Sequence, residues 1–212
     1  MPFVRKPTTP AAPPASSSED DGASVLARLR SADPDERWSA ARSAATVTGG
    51  AAALATALRV ETDPHIRAAL FTGLARVGTA QGSTELLNLL RSDQSSLRTG
   101  ALDALRTLGA GLHELLPQLL SDADADIRIL SCELARALPA EEASTLLCNL
   151  LAGEQDVNVC AAAVDVLAEV GTPDACPVLA RCAARFARSP FLGFAVKTAT
   201  DRINSASAPA RD

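Results

Sequence analysis

One phrase, repeated along the chain, constrains the fold more than any other feature. It reads Asp63-Pro-His-Ile-Arg-Ala-Ala-Leu-Phe-Thr-Gly-Leu-Ala-Arg-Val-Gly78. An aspartate can cap a helix N-terminus, proline suits the first helical position, and glycine can close the helix in a left-handed conformation. Between them Ile66, Leu70, Leu74 and Val77 fall on one stripe of a 3.6-residue helix. The phrase returns at 94–109 around Leu97 and Arg98, and at 124–139 around Ile127 and Arg128. It returns with losses at 33–49 around Arg37, and at 156–171 around Val159 and Cys160. The marker positions 37, 67, 98, 128 and 160 are separated by 30, 31, 30 and 32 residues, and a further 33 reach Gly193, behind Ser189-Pro190. A fixed period in this range is the mark of a solenoid, whose units bury their apolar faces against their neighbours.

The segments between the phrases supply the other half of each unit. Val25, Leu26 and Leu29 precede the first phrase; Leu54 and Leu58 precede the second. Leu86, Leu89 and Leu90, then Leu112, Leu116 and Leu119, then Leu147, Leu150 and Leu151 precede the next three. The spacing predicts an all-α chain of about six helical hairpins over residues 23–205. Aromatic residues are 3% of the chain and tyrosine is absent, which favours small close-packed helices over a sheet. With 212 residues the chain can bury enough surface to need neither disulfide nor metal for stability.

Residues 1–22 are rich in Pro, Ala, Ser and Thr and read as a disordered tail, as do residues 206–212. Within the first tail, Phe3 and Val4 stand beside Arg5 and Lys6 as a candidate docking motif, set against an ordinary exposed terminus. The first repeat opens with Asp33 and Glu36 at capping-box spacing. Glu36 replaces the apolar residue of later repeats, as suits a solvent-facing end unit. Trp38 follows the marker, and either covers the open end or offers a contact surface.

Where these arginines, glycines and leucines stand, the chain resembles the short HEAT-like repeats of the bilin-lyase type. The resemblance implies antiparallel helix pairs stacked into a right-handed superhelix, with the second helices lining its concave side. It also implies an alternative function, as a subunit of a lyase that attaches tetrapyrrole, but carries no catalytic residue across.

The chemistry-bearing residues arrange in columns. Arg37, Arg67, Arg98 and Arg128 recur beside Asp33, Asp63, Asp93 and the group Asp122, Asp124 and Asp126, and read as a structural ladder rather than an anion site. Five residues after each marker stand Arg42, Thr72, Asp103, Glu133 and Asp165; eight after stand Ala45, Ala75, Arg106, Arg136 and Ala168. Asp103–Arg106 and Glu133–Arg136 are then helical neighbours. Asp165 and Glu169 lack such an arginine, so the middle and later concave face reads either as an ordinary solvated face or as an acidic strip for a basic partner. His113-Glu114 occurs once, whereas the iron-binding deoxyhypusine hydroxylases use repeated His-Glu pairs. Five cysteines without a CxxC pair read as small buried hydrophobes of a reducing compartment.

A net charge of −5 opposes wrapping of nucleic acid, and the basic face of HEAT-like DNA glycosylases with it. No apolar run has membrane-spanning length, and the start lacks a secretory signal, so the cytoplasm is expected. No cofactor, metal or catalytic set is implied. The expected function is a non-catalytic scaffold or adaptor that binds another protein. Two lysines among 20 basic residues suit a GC-rich bacterial genome, and a signalling or chemosensory assembly is one setting for such an adaptor.

Overall fold

The computed structural model describes residues 17–78 and 80–207. Phe3, Val4, Arg5 and Lys6 lie outside the described residues, with the rest of the first sixteen positions and those beyond 207. Every regular element among the described residues is helical, and twelve α-helices fall into six consecutive pairs: α1 (Ser17–Arg28) with α2 (Pro34–Ser43), α3 (Gly50–Leu58) with α4 (Pro64–Arg76), α5 (Ala80–Leu90) with α6 (Ser95–Arg106), α7 (Ala110–Leu119) with α8 (Ala125–Leu134), α9 (Ala140–Gly153) with α10 (Val157–Val170), and α11 (Cys176–Arg185) with α12 (Pro190–Ser207). The helix α1 begins at Ser17, inside the segment the composition assigned to the tail. No helix of the described residues is long and apolar enough to cross a membrane.

The capping signals act locally as the sequence suggests. Asp63 Oδ1 accepts from the backbone N–H of His65 at 2.8 Å and of Ile66 at 3.3 Å. Asp156 does the same for Asn158 and Val159, at 2.7 and 3.1 Å. Such a cap contributes about 1 kcal/mol to its helix. Gly78 follows α4 with φ +62°, the left-handed conformation its place in the phrase requires. At Asp33 the expected reciprocal box does not form. The Asp33 side chain accepts from Asp35 N–H, and its own N–H donates to Ser31 Oγ at 3.1 Å, so Glu36 is left exposed.

The chain divides between Val77 and Gly78 into two compact units. In the first unit α2 packs on α4, and α3 on α4. Ile66, Leu70 and Leu74 are buried as the stripe predicts, but so are Ala69, Phe71 and Gly73, because α4 is packed on two sides. In the second unit the second helices pack in series, α6 on α8, α8 on α10 and α10 on α12. Leu97, Leu105, Leu116, Leu147, Val159 and Leu167 are among its fully buried side chains. The helix α12, irregular in sequence, keeps one stripe of Leu192, Val196, Ala199 and Ile203 against that core, while Phe191 and Phe194 stand exposed.

Candidate functional site

The marker arginines do structural work, with different partners from those nearest in sequence. Arg37 Nη1 donates to the carbonyls of Ser31 and Ala32, at 3.0 and 3.2 Å, in the turn before its own helix. Arg98 and Arg128 make the same pair of bonds, to Ser92 and Asp93 and to Asp122 and Ala123. Of the aspartates expected as ion-pair partners, Asp33, Asp63 and Asp124 are engaged as caps. The carboxylates come instead from the following hairpin: Arg37 Nε meets Glu61 Oε2 at 2.7 Å, and Arg128 Nε meets Glu154 Oε2 at 2.7 Å. Each glutamate turns its other oxygen to two backbone N–H groups of its own turn. Asp122, one column member, is held by Arg91.

These clasps leave a signature in the titration of their acids. The hydrogen bond from Arg37 holds Glu61 below the usual carboxylate range. Asp122 is lowered by its bond from Arg91. At Glu154 burial opposes the charge, but Arg128 and the backbone donors outweigh it and the pKa is again lowered.

Cys160 occupies the marker position without a guanidinium. Its Sγ lies 3.9 Å from the carbonyl of Glu154, six residues back, which is the carbonyl an arginine would reach. From α11, Arg185 Nη2 donates to Leu151 O at 2.6 Å. All five cysteines are free; Cys132, Cys160 and Cys182 are buried, while Cys148 and Cys176 are half-buried. Burial pushes the Cys132 thiol up to about 12, the behaviour of an inert core thiol. Cys182 departs from that expectation: its pairing with Cys160, joined by the charge of Arg185, lowers it, while Cys160 is raised in turn.

The acidic strip is present on the second helices of the second unit, but is not free in the way its spacing suggested. Arg106 Nη1 meets Asp103 at 2.8 Å and its other terminal nitrogen reaches Glu133 at 4.0 Å. Arg136 Nε meets Glu133 at 3.0 Å and Nη2 meets Asp165 at 2.8 Å, while Nη1 pairs with Glu169. Asp165 and Glu169 therefore do have an arginine. It comes from the preceding repeat, one helix away, which a count along their own helix cannot reveal. Burial opposes the Arg136 charge, yet the bonds to Glu133 and Glu169 prevail and raise its pKa above the ordinary arginine value. The result is a continuous line of ion pairs over α6, α8 and α10, with four carboxylates sharing two arginines.

In the first unit the same columns carry different residues. Trp38 on α2 is 42% exposed, and the Arg42 guanidinium lies over its ring, 4.6 Å from the centroid. Trp38 walls a cavity of about 320 Å³ shared with α4. His65 and Arg76 line that cavity from α4, and the sequence reading missed both as site residues. The signal was there: they stand two before and nine after the marker Arg67, in columns flanking those followed. His113, by contrast, pairs with Glu142 at 2.9 Å, and among the described residues no three His, Cys, Asp or Glu side chains converge as a metal would need.

Residues 112–188 match the family of HEAT repeats. Over that stretch the chain carries HEAT repeats. No curated protein matches it. Among solved structures it is similar to the archaeal HEAT-like repeats protein from Thermococcus onnurineus NA1, at 14% identity over 91% of this chain and 95% of that one, with a TM-score of 0.45. It is similar also to the complex of CpcE and CpcF of phycocyanin lyase from Nostoc sp. PCC7120, at 16% identity over 95% and 100% of the two chains, with a TM-score of 0.36. Computationally designed armadillo repeat proteins for modular peptide recognition share 15% identity over 85% of this chain and 99% of theirs, with a TM-score of 0.43.

Proposed function

We propose that this HEAT-like repeat protein is a non-catalytic scaffold, and that the second-helix face of its second unit binds a basic segment of another protein. The observation that carries the reading is the ion-pair line itself. Among the described residues Asp103, Glu133, Asp165 and Glu169 are answered only by Arg106 and Arg136, so the line retains an excess of negative charge after its internal pairing. Asp165 and Glu169 are also exposed, at 69% and 53% of their side chains, and can exchange Arg136 for an incoming lysine or arginine without a large desolvation penalty. HEAT repeats supply a broad rigid surface for such contacts.

The test is the anisotropy of a fluorescein-labelled lysine-rich peptide, titrated with wild type and with the double variant Asp165→Lys, Glu169→Lys. The double variant should bind more weakly and show a shallower salt dependence, since two attractive charges have become repulsive. Equal affinity for both proteins would sink the assignment. Removal of residues 1–16 tests the rival docking motif Phe3, Val4, Arg5 and Lys6 and stops short of α1. If that motif holds the partner, native-host partner binding falls while the melting temperature stays put. Mixing with free bilin addresses the lyase alternative: a new visible absorbance band bound to the protein would favour it.

A further inference from the structure

The cavity beside Trp38 belongs to neither the ladder of clasps nor the acidic line, and its chemistry is opposite to that of the face just described. Its basic side chains are those of Arg42, His65 and Arg76, and no carboxylate lines it. Asp35 lies one turn before Trp38 on the same stripe of α2, outside the walls. Among the described residues neither Arg42 nor Arg76 has a carboxylate within ion-pair distance, whereas Arg37, Arg91, Arg106, Arg128 and Arg136 all do. What sets the pair apart is their place: both line one cavity that holds a tryptophan and no acid.

The cavity is built by close packing rather than left over by poor packing. A Cβ on Gly73 would lie 2.5 Å from the carbonyl oxygen of Ala41, so only glycine lets α4 approach α2 this closely. Gly73 and Ala69 thus form a small-residue floor, and Trp38, steadied by Arg42, forms a flat apolar wall. At about 320 Å³ the space is at the small end of ligand sites, which run from roughly 300 to 1,000 Å³, and suits one or two side chains rather than a cofactor.

We propose that this cavity binds an acidic peptide segment of a partner protein, with a glutamate or aspartate received by Arg42 and Arg76 and a neighbouring apolar side chain laid on Trp38. The guanidinium edges offer paired N–H donors to a carboxylate while the face of Arg42 stays on the indole. The site is distinct from the acidic line and takes the opposite charge, so the two can fail separately.

Trp38 is the single tryptophan of the chain and there is no tyrosine, so intrinsic emission reports this cavity alone. The probe is a short synthetic peptide alternating glutamate and leucine, with a lysine and leucine peptide of equal length as its opposite. The glutamate peptide should change Trp38 emission saturably, and the lysine peptide should not. Arg42→Gln and Arg76→Gln should each weaken binding about tenfold or more, as expected for loss of a charge-assisted hydrogen bond. Arg59→Gln, an exposed charge of the same unit outside the cavity, should leave it unchanged. All three positions are exposed, and thermal melts establish that each variant is folded. Anisotropy of the labelled peptide gives a second readout free of the indole. Equal weakening by Arg59→Gln, unchanged binding by both cavity variants, or preference for the lysine peptide would each overturn the proposal. So would inorganic phosphate that reproduces the emission change and displaces the peptide fully.

Discussion

The second helices of the two units are built on one column register and solve opposite problems. Five residues past the marker, the first unit has Arg42 and Thr72 where the second has Asp103, Glu133 and Asp165. In the second unit the arginines Arg106 and Arg136 tie every acid of the line into a network. In the first unit Arg42 and Arg76 instead line a cavity beside a tryptophan. The difference teaches that the repeat fixes where side chains stand but not what they do. Marker positions, turned into the joints, keep one role throughout; positions turned to solvent are free to reverse sign.

The core gives the largest expected effects. Leu105 is fully buried in the second unit, and Leu105→Ala should cost about 2–5 kcal/mol. Leu26, half-buried in the first hairpin, should lose clearly less when changed to alanine. Trp38 emission follows the first unit, and circular dichroism follows all helices. Because repeat stability is largely a sum of local terms, Leu105→Ala should lower the dichroism midpoint more than the Trp38 midpoint. Identical shifts in both signals would mean that the two units unfold as one block.

The clasps come next, and here the units should agree. Arg37→Met strands Glu61 and Arg128→Met strands Glu154, each glutamate side chain only 7% exposed. A buried acceptor that loses its partner costs about 1–3 kcal/mol, so comparable losses are expected in urea unfolding of both variants. A large loss in one unit alone would break the equivalence of the two clasps.

Acid should then erode the same interactions. Glu61, Asp122 and Glu154 have pKa values below their unfolded ones. Their stabilisation is therefore fully present above the ordinary carboxylate range, near pH 4.3, and is lost as pH falls through the lowered folded values. Melting temperatures should stay level near neutrality and drop below about pH 4.5. Arg128→Met removes the cause of the Glu154 shift, so its further loss in acid should be smaller than that of wild type.

How much of this was legible in the sequence follows from the range of each interaction. The helices, caps and marker register were, because Asp63, Leu70 and Gly78 act within one helix or one turn. The partner of Asp165 was not, because Arg136 reaches it from another helix at a separation of 29 residues. Nor was the cavity, since Gly73 signals a close approach only once Ala41 O is known to face it. The capping box at Asp33 failed for a local reason: Ser31 competes for the N–H that Glu36 was expected to take.

The smallest effect expected is the stability of the two faces themselves, and it separates a network from a vacancy of partners. Arg136→Gln leaves Glu133, Asp165 and Glu169 close together without their shared cation. Those acids are solvated, so the loss should be modest, on the order of 0.2–1 kcal/mol for exposed pairs. Its origin is electrostatic, so it should shrink as salt screens the three carboxylates from one another. Arg42→Gln removes a cation that answers no acid, and should move the melting temperature little, within the roughly ±0.5 kcal/mol of ordinary surface changes, at any salt. The measurement is the melting temperature of both variants at low and high ionic strength. A salt-dependent loss in Arg136→Gln alone keeps the contrast between a face that spends its charges internally and one that holds them for a partner. If Arg42→Gln shows the same salt-dependent loss, then Arg42 is paired in solution and the contrast fails.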